Sequence, residues 1–130
     1  MAESLHLETE LPASPERIYT AWLSGEEHGA FTGAPATCDP VVGGAFTAWD
    51  NYIDGRNLGL EPFQRIVQTW RTTEFPEGSE DSRIEVRLEA VPVGTHLTLV
   101  HTNIPDGQSA QYDTGWQDYY FKPMREYFTP

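Results

Sequence analysis

The residue types that do chemistry are present in this chain, but few stand where they could act together. His96 and His101 are the one close pair of histidines. Five positions apart on a strand, they point to opposite faces, which makes them a poor pair of metal ligands. His101 reads instead as a hydrogen-bonded wall or turn residue, and His6 as a solvent-facing one. Glu77-Gly78-Ser79-Glu80-Asp81 has the outline of a nucleophile elbow. It lacks the second glycine and the strand-to-helix setting, so it reads as an exposed acidic loop. Gly43-Gly44 precedes no Lys-Ser/Thr pair and no helix, which leaves a bend or bulge rather than a phosphate loop. Asp50, Asp54 and Asp106 fall at expected turns without an EF-hand ladder around them. Cys38 has no neighbouring base to activate it. Tyr52, Tyr120 and His101 are available for acid–base work but form no recognisable constellation. No catalytic residue, metal ligand or cofactor is assigned.

Two kinds of binding chemistry remain. An arginine inside an apolar cavity would fix an anion through paired hydrogen bonds, and Glu61, Arg65 and Arg71 are the charged residues to weigh. Arg65 shares strand parity with Phe63 and Val67, whereas Ile66 shares it with Trp70. Apolar side chains lie on both faces, so the inner face stays open and Arg65 is a candidate only. The second chemistry is aromatic. Trp22, Phe46, Trp49, Phe63, Trp70, Trp116, Tyr120 and Met124 can fill a core or line an apolar pocket. All of these except Trp49 are taken as the ligand-binding set.

The elements that must position them follow from periodicity. Leu5, Leu7, Thr9 and Leu11 alternate with His6, Glu8 and Glu10, which predicts a half-buried strand over Ser4 to Leu11. Ser14, Pro15 and Glu16 read as the start of a helix running to Leu23. Ser24 with Glu27 is a capping box that opens a second short helix ending near Gly29 to Gly33. Strands and tight turns come next. Asp54-Gly55 signals a hairpin between Trp49–Ile53 and Arg56–Leu60. Phe63 to Thr72 is a longer strand. Ser82 to Val91 alternates Ile84, Val86, Leu88 and Ala90 inward with Arg83, Glu85, Arg87 and Glu89 outward. Pro92-Val93-Gly94 turns it into Thr95 to Thr102. In the last segment Trp116, Tyr119, Tyr120, Pro123, Met124, Tyr127 and Phe128 recur at helical spacing, an apolar stripe along a helix from Thr114 to Phe128. Short turns make the sheet antiparallel, and the last helix is the element long enough to cover one of its faces.

The order and the residues resemble the START-like, birch-pollen-allergen-like superfamily of helix-grip (SRPBCC) domains. Within it, the chain resembles the family of the C-terminal domain of activators of heat-shock protein 90 ATPase. The resemblance rests on Pro15-Glu-Arg-Ile-Tyr-Thr-Ala-Trp22, Gly43-Gly44-Ala-Phe46 and Glu61-Pro62-Phe63-Gln-Arg65-Ile66-Val67-Gln-Thr-Trp70. Leu97-Thr98-Leu99-Val100-His101-Thr102-Asn103-Ile104-Pro105 and Gly115-Trp116 complete it. It implies one α+β domain over residues 1–130: a curved antiparallel sheet of about seven strands wrapped around a long C-terminal helix, with two short helices after the first strand. It also implies a cavity between sheet and helix. Members bind lipids, sterols, polyketides or hormones, and a few catalyse cyclisation or dehydration. The eukaryotic activators carry a separate N-terminal chaperone-binding domain, whereas this sequence starts with the grip domain.

Bulk composition bounds the partners. At 130 residues one domain with a core of its own is expected. A net charge of −12 excludes a nucleic-acid backbone as the natural partner. One lysine, Lys122, stands against seven arginines, and with so many carboxylates the composition also suits work in high salt. The single cysteine excludes an internal disulfide framework. MAESLHLETEL shows no signal-peptide pattern and no apolar run reaches membrane-spanning length, so a cytoplasmic protein is expected. The leading expectation is a non-catalytic domain binding a small hydrophobic ligand in a stress-related setting. The alternatives are a co-chaperone-like module with a chaperone or other protein partner, and a cyclase- or dehydratase-like enzyme.

Overall fold

The computed structural model describes residues 2–129. Its chain order is β1 (Glu3–Leu11), α1 (Pro15–Trp22), α2 (Gly25–Thr32), β2 (Thr37–Cys38), β3 (Ala45–Ala48), β4 (Ile53–Glu61), β5 (Arg65–Thr72), β6 (Ser82–Val91) and β7 (Gly94–Ile104). The C-terminal helix follows as α3 (Ser109–Trp116), a π-helical segment (Gln117–Phe121) and α4 (Lys122–Phe128). The strands form one antiparallel sheet in the order β1-β7-β6-β5-β4-β3-β2. Its inner face carries Ile66, Trp70, Ile84, Val86, Leu97 and Leu99. These pack in one cluster with Ile18 and Trp22 of α1, Phe31 of α2, and Trp116, Tyr120 and Met124 of the C-terminal helix. This is the helix-grip architecture, α+β, with the sheet folded around the last helix.

Local chemistry explains the helix starts. Ser14 Oγ accepts from the Arg17 amide at 3.2 Å and Pro15 occupies the first turn, which satisfies an otherwise orphaned donor. Ser24 Oγ does the same for Glu27 at 3.2 Å. Only that half of the capping box forms. The Glu27 carboxylate turns away to Arg17 at 2.6 Å and accepts from the Tyr127 hydroxyl at 2.9 Å, so it ties α1 and α2 to α4. Gly33, at φ +88°, ends α2 in the left-handed conformation that costs glycine little.

The sheet departs from the sequence reading in three places. Asp54-Gly55 is not a hairpin turn. It lies inside β4, with Asp54 opposite Thr47 and Gly55 opposite Phe46. A Cβ on Gly55 would stand 2.0 Å from the Thr69 carbonyl oxygen and 2.6 Å from the Phe46 ring, so this glycine serves close approach rather than a turn. The turn falls at Trp49, Asp50 and Asn51, all left-handed at φ +54°, +55° and +69°. Asp50 and Asn51 tolerate that conformation, and Trp49 holds it at a cost of about 1–2 kcal/mol. Phe63 is not in a strand either: it sits in the turn before β5 at φ +66° and is 45% exposed. In β6, Ile84, Val86 and Leu88 are buried, but Ala90, opposite Thr95 beside the β6–β7 turn, is exposed.

Parity on β5 resolves the arginine question. Ile66, Gln68, Trp70 and Thr72 are buried, so Arg65 points to the outer face. There it meets Glu85 at 2.5 Å and Glu61 at 2.9 Å, with Arg87 on the same Glu85 at 2.7 Å. These exposed pairs contribute at most about 1 kcal/mol each. Arg71 caps the following loop through Ser79 O, Pro76 O and Asp81. Neither arginine reaches the inner face.

The C-terminal helix starts at Ser109 rather than Thr114 and is not uniformly α-helical. The Lys122 amide bonds back to Gln117 O, five residues away, and Pro123 follows. A proline there brings no amide and its ring crowds the preceding turn; the wide turn accommodates it. The wide turn also rotates the register. Phe121 is buried, while Tyr119 and Tyr127 are 59% and 36% exposed. The buried stripe is therefore Tyr112, Trp116, Tyr120, Phe121, Met124 and Phe128, not the uninterrupted 3.6-residue stripe that spacing alone predicts.

Candidate functional site

A cavity of about 470 Å³ lies between the first two-thirds of the C-terminal helix and the β3–β4–β5 end of the sheet. Seven aromatic residues line it: Trp49, Tyr52, Trp70, Tyr112, Trp116, Tyr119 and Tyr120. Ile53, Gly115, Gln111 and Glu74 complete the wall. The left-handed turn aims Trp49 at the rim, where it meets Tyr119 edge-on with centroids 5.7 Å apart. The π-helical segment supplies Tyr119 and Tyr120, and helical segments of that kind are frequent at functional sites. Trp70 and Trp116 make the floor, with centroids 5.5 Å apart.

Glu74 is the one charged residue of the wall, and its position is built. Its amide donates to Thr72 Oγ1 at 3.2 Å. Thr72 and the Tyr112 hydroxyl bond at 2.6 Å, and Tyr112 donates to Gln108 Oε1 at 2.7 Å. Gln108 Nε2 donates back to the Glu74 carbonyl at 2.9 Å. That closed ring fixes the backbone of Glu74 against α3. Its carboxylate Oε2 accepts from the Tyr52 hydroxyl and from Gln111 Nε2 at 3.2 Å. Burial first, and the bond to Glu74 second, push the Tyr52 phenol well above the ordinary tyrosine range.

Beneath the cavity two histidines are locked into hydrogen-bond chains. Trp116 Nε1, which can only donate, gives its proton to His101 Nδ1 at 3.0 Å. His101 therefore carries its proton on Nε2 and donates to Ser82 Oγ at 2.8 Å, and Ser82 donates to the Trp70 carbonyl at 2.6 Å. His28 Nδ1 donates to the Trp22 carbonyl at 3.0 Å and its Nε2 accepts from the Tyr120 hydroxyl at 2.7 Å. Burial pushes His28 down to about 4 and His101 down to about 3, so both are neutral at pH 7. A third chain runs from Trp22 Nε1 to Gln68, Asn57 and the carbonyls of Asp39 and Val41. Among the described residues every buried side-chain nitrogen and oxygen has a partner, as a polar group in a low-dielectric interior requires. Among the same residues no three His, Cys, Asp or Glu side chains gather to hold a metal ion. Among the described residues no helix is long and apolar enough to cross a membrane.

Of the residues that the sequence suggests for ligand contact, Trp70, Trp116 and Tyr120 stand on the cavity wall. Trp22, Phe46 and Met124 are buried core, at 3%, 6% and 0% exposure, and Phe63 packs edge-on against Tyr19 at the surface. Sequence reasoning missed Gln111 and Tyr112 because it started the helix at Thr114. Tyr112 lies four residues before Trp116 and extends the same stripe by one turn, which was a readable signal. Glu74 carried none, since only the fold brings its loop against α3. Of the acid–base candidates, Tyr52 and Tyr120 reach the wall, but His101 lies behind Trp70 and Trp116.

Residues 12–129 match the family model described as activator of Hsp90 ATPase homolog 1-like protein. The chain belongs to this family. The human activator of 90 kDa heat shock protein ATPase homolog 1 is 33% identical over 115 residues, which is 88% of this chain and 34% of that protein. The chain thus spans about a third of the length of the curated relatives it matches. Among solved structures, the HSP90 activator from Plasmodium falciparum superposes with a TM-score of 0.87 at 23% identity, covering 95% of this chain and 94% of that one. Ara h 8.0201 superposes at 0.75 with 16% identity, covering 98% of each. Both likenesses are of fold, and they confirm the helix-grip architecture.

Proposed function

We propose that this activator-homolog domain is a non-catalytic binding domain and that its cavity takes a small, mainly apolar ligand. The observation that supports this reading is the 470 Å³ space walled by seven aromatic residues with few polar groups, the character of small-molecule sites. Against a cyclase or dehydratase stand the two neutral histidines, which are spent on structural bonds behind the wall. A nuclear magnetic resonance screen of fatty acids, sterols and flavonoids tests the reading. Binders should shift Trp49, Trp70, Trp116 and Tyr119 while leaving Phe63 and Val93 unmoved. A screen in which no compound moves the four wall residues overturns it.

A second reading, a module that engages a chaperone, is favoured by the family itself and by the activators among its relatives. A cytoplasmic, stress-linked setting goes with it. Hsp90 ATPase turnover measured with and without the protein decides: a rate change supports the reading, and an unchanged rate at saturating protein removes it.

A further inference from the structure

Resting on the cavity reading above, we propose that the ligand is an organic cation: a flat or short-chain apolar body bearing an ammonium group. Three observations converge on that class. The wall presents seven aromatic rings, and ring faces attract a cation that has left water. Glu74 is the only charged residue among the lining, with no arginine or lysine beside it in the wall. Among the described residues Glu74 makes no ion pair, and its Oε1 takes no protein donor while Oε2 is held by Tyr52 and Gln111.

The preorganisation of Glu74 is the decisive feature. An exposed glutamate ordinarily swings freely, and a salt bridge to it is worth little. Here the closed ring through Thr72, Tyr112 and Gln108 pins its backbone, and two further donors pin its carboxylate. One oxygen is left for a donor arriving from the cavity. Fixing the acceptor in advance removes an ordering cost from binding. A charge-assisted hydrogen bond then adds to the contact with the rings. An anionic ligand would meet Glu74 as a like charge, and the net charge of −12 would repel it at longer range. A wholly apolar ligand would gain nothing from the carboxylate.

The test is a matched set that shares one ring system and differs in charge: tryptamine, tryptophol and indole-3-acetate. Each is titrated at pH 7 and low salt into the wild-type protein, Glu74→Gln and, as a control for net charge, Glu80→Gln. Amide and indole shifts locate the binding. Tryptamine should bind about ten-fold tighter than tryptophol, and indole-3-acetate weakest. Glu74→Gln should erase the preference, and Glu80→Gln should keep it. Equal binding of tryptamine and tryptophol at Trp49, Trp70 and Trp116 overturns the cation assignment and leaves the cavity reading standing. Tryptamine shifts confined to the outer acidic face, or a preference that survives Glu74→Gln, also overturn the assignment. If none of the three moves the wall residues, while the screen of fatty acids, sterols and flavonoids is also silent, the cavity reading falls and takes this inference with it.

Discussion

The Trp116 indole donates its one proton to His101 Nδ1 at 3.0 Å, fully inside the protein. This bond joins the C-terminal helix to β7 and fixes the tautomer of the histidine. It also orients the ring that forms the cavity floor. Trp116→Phe removes the donor while keeping much of the ring. His101 is then left with an unsatisfied buried acceptor, so the loss should exceed the net worth of one hydrogen bond. We expect a destabilisation of about 1–3 kcal/mol. Urea unfolding of the variant, compared with Trp49→Phe at the rim, checks the value. Near-equal midpoints for the two variants would show that the buried bond contributes nothing special.

Acid should unfold this protein earlier than its carboxylates alone require. His28 and His101 have folded-state values of about 4 and 3, below the ordinary 6.5. Between those values and 6.5 the unfolded chain binds more protons than the folded one, so stability rises with pH across that window and falls as pH drops through it. Above pH 6.5 the two histidines impose no penalty. Inside the window each costs about 1.4 kcal/mol per pH unit. His96 acts with the opposite sign, because the Glu8 and Glu10 carboxylates raise it. It gives its stability below the ordinary value and loses it as pH rises, but it is only half-buried and its share is small. Melting temperatures from pH 7 to pH 4 should fall steeply, and His28→Gln should flatten the slope. A temperature profile that stays level down to pH 5 would contradict the assignment.

Much of the fold was readable from the residues. The alternation of Ile84, Val86 and Leu88, the caps at Ser14 and Ser24 and the four-residue recurrence of Trp116, Tyr120, Met124 and Phe128 each state one local fact, and each fact survives in the structure. What was not readable is where close approach or a changed helix pitch overrides a local signal. Asp54-Gly55 has the composition of a turn, but its glycine is required by the ring of Phe46 and the carbonyl of Thr69, which arrive from other strands. Tyr119 and Tyr127 fall on the apolar side of a regular helix, and one π-helical turn moves them outward. The cavity was legible only in part for the same reason. Trp70, Trp116 and Tyr120 show themselves by type and spacing, whereas Glu74 and Gln111 become neighbours through tertiary contacts alone.

Gly55 gives a sharp test of that explanation. If it served a turn, alanine there would cost a modest amount of strain. In the structure a Cβ would collide with the Thr69 carbonyl at 2.0 Å, a backbone atom that cannot step aside without breaking the β4–β5 ladder. Gly55→Ala should therefore destabilise by at least about 2–3 kcal/mol. Gly78→Ala, in an exposed loop with open space around it, loses only a left-handed preference and should cost about 1 kcal/mol. Thermal unfolding of the two variants side by side checks the order. The reverse ranking would mean that the strand assignment of Asp54-Gly55 is wrong.

Gly115 separates stability from binding. It lies inside α3, lines the cavity, and has nothing within 4 Å of where a Cβ would stand. A glycine in a helix interior costs about 1 kcal/mol relative to alanine, and here no packing need explains the cost. The open space over Gly115 is part of the cavity, so a side chain there would grow into the volume a ligand requires. Gly115→Ala should raise stability by about 0.5–1 kcal/mol and weaken ligand binding slightly. Gly115→Leu should keep most of the helix gain and fill the space between Trp49 and Trp116, reducing binding at least about ten-fold by steric occlusion. Calorimetric melting and the indole titrations on the same two variants read both effects. The informative pattern is a more stable protein that binds less, because a merely structural glycine would give loss of both when replaced. Unimpaired binding by a well-folded Gly115→Leu variant would place the ligand somewhere other than this cavity.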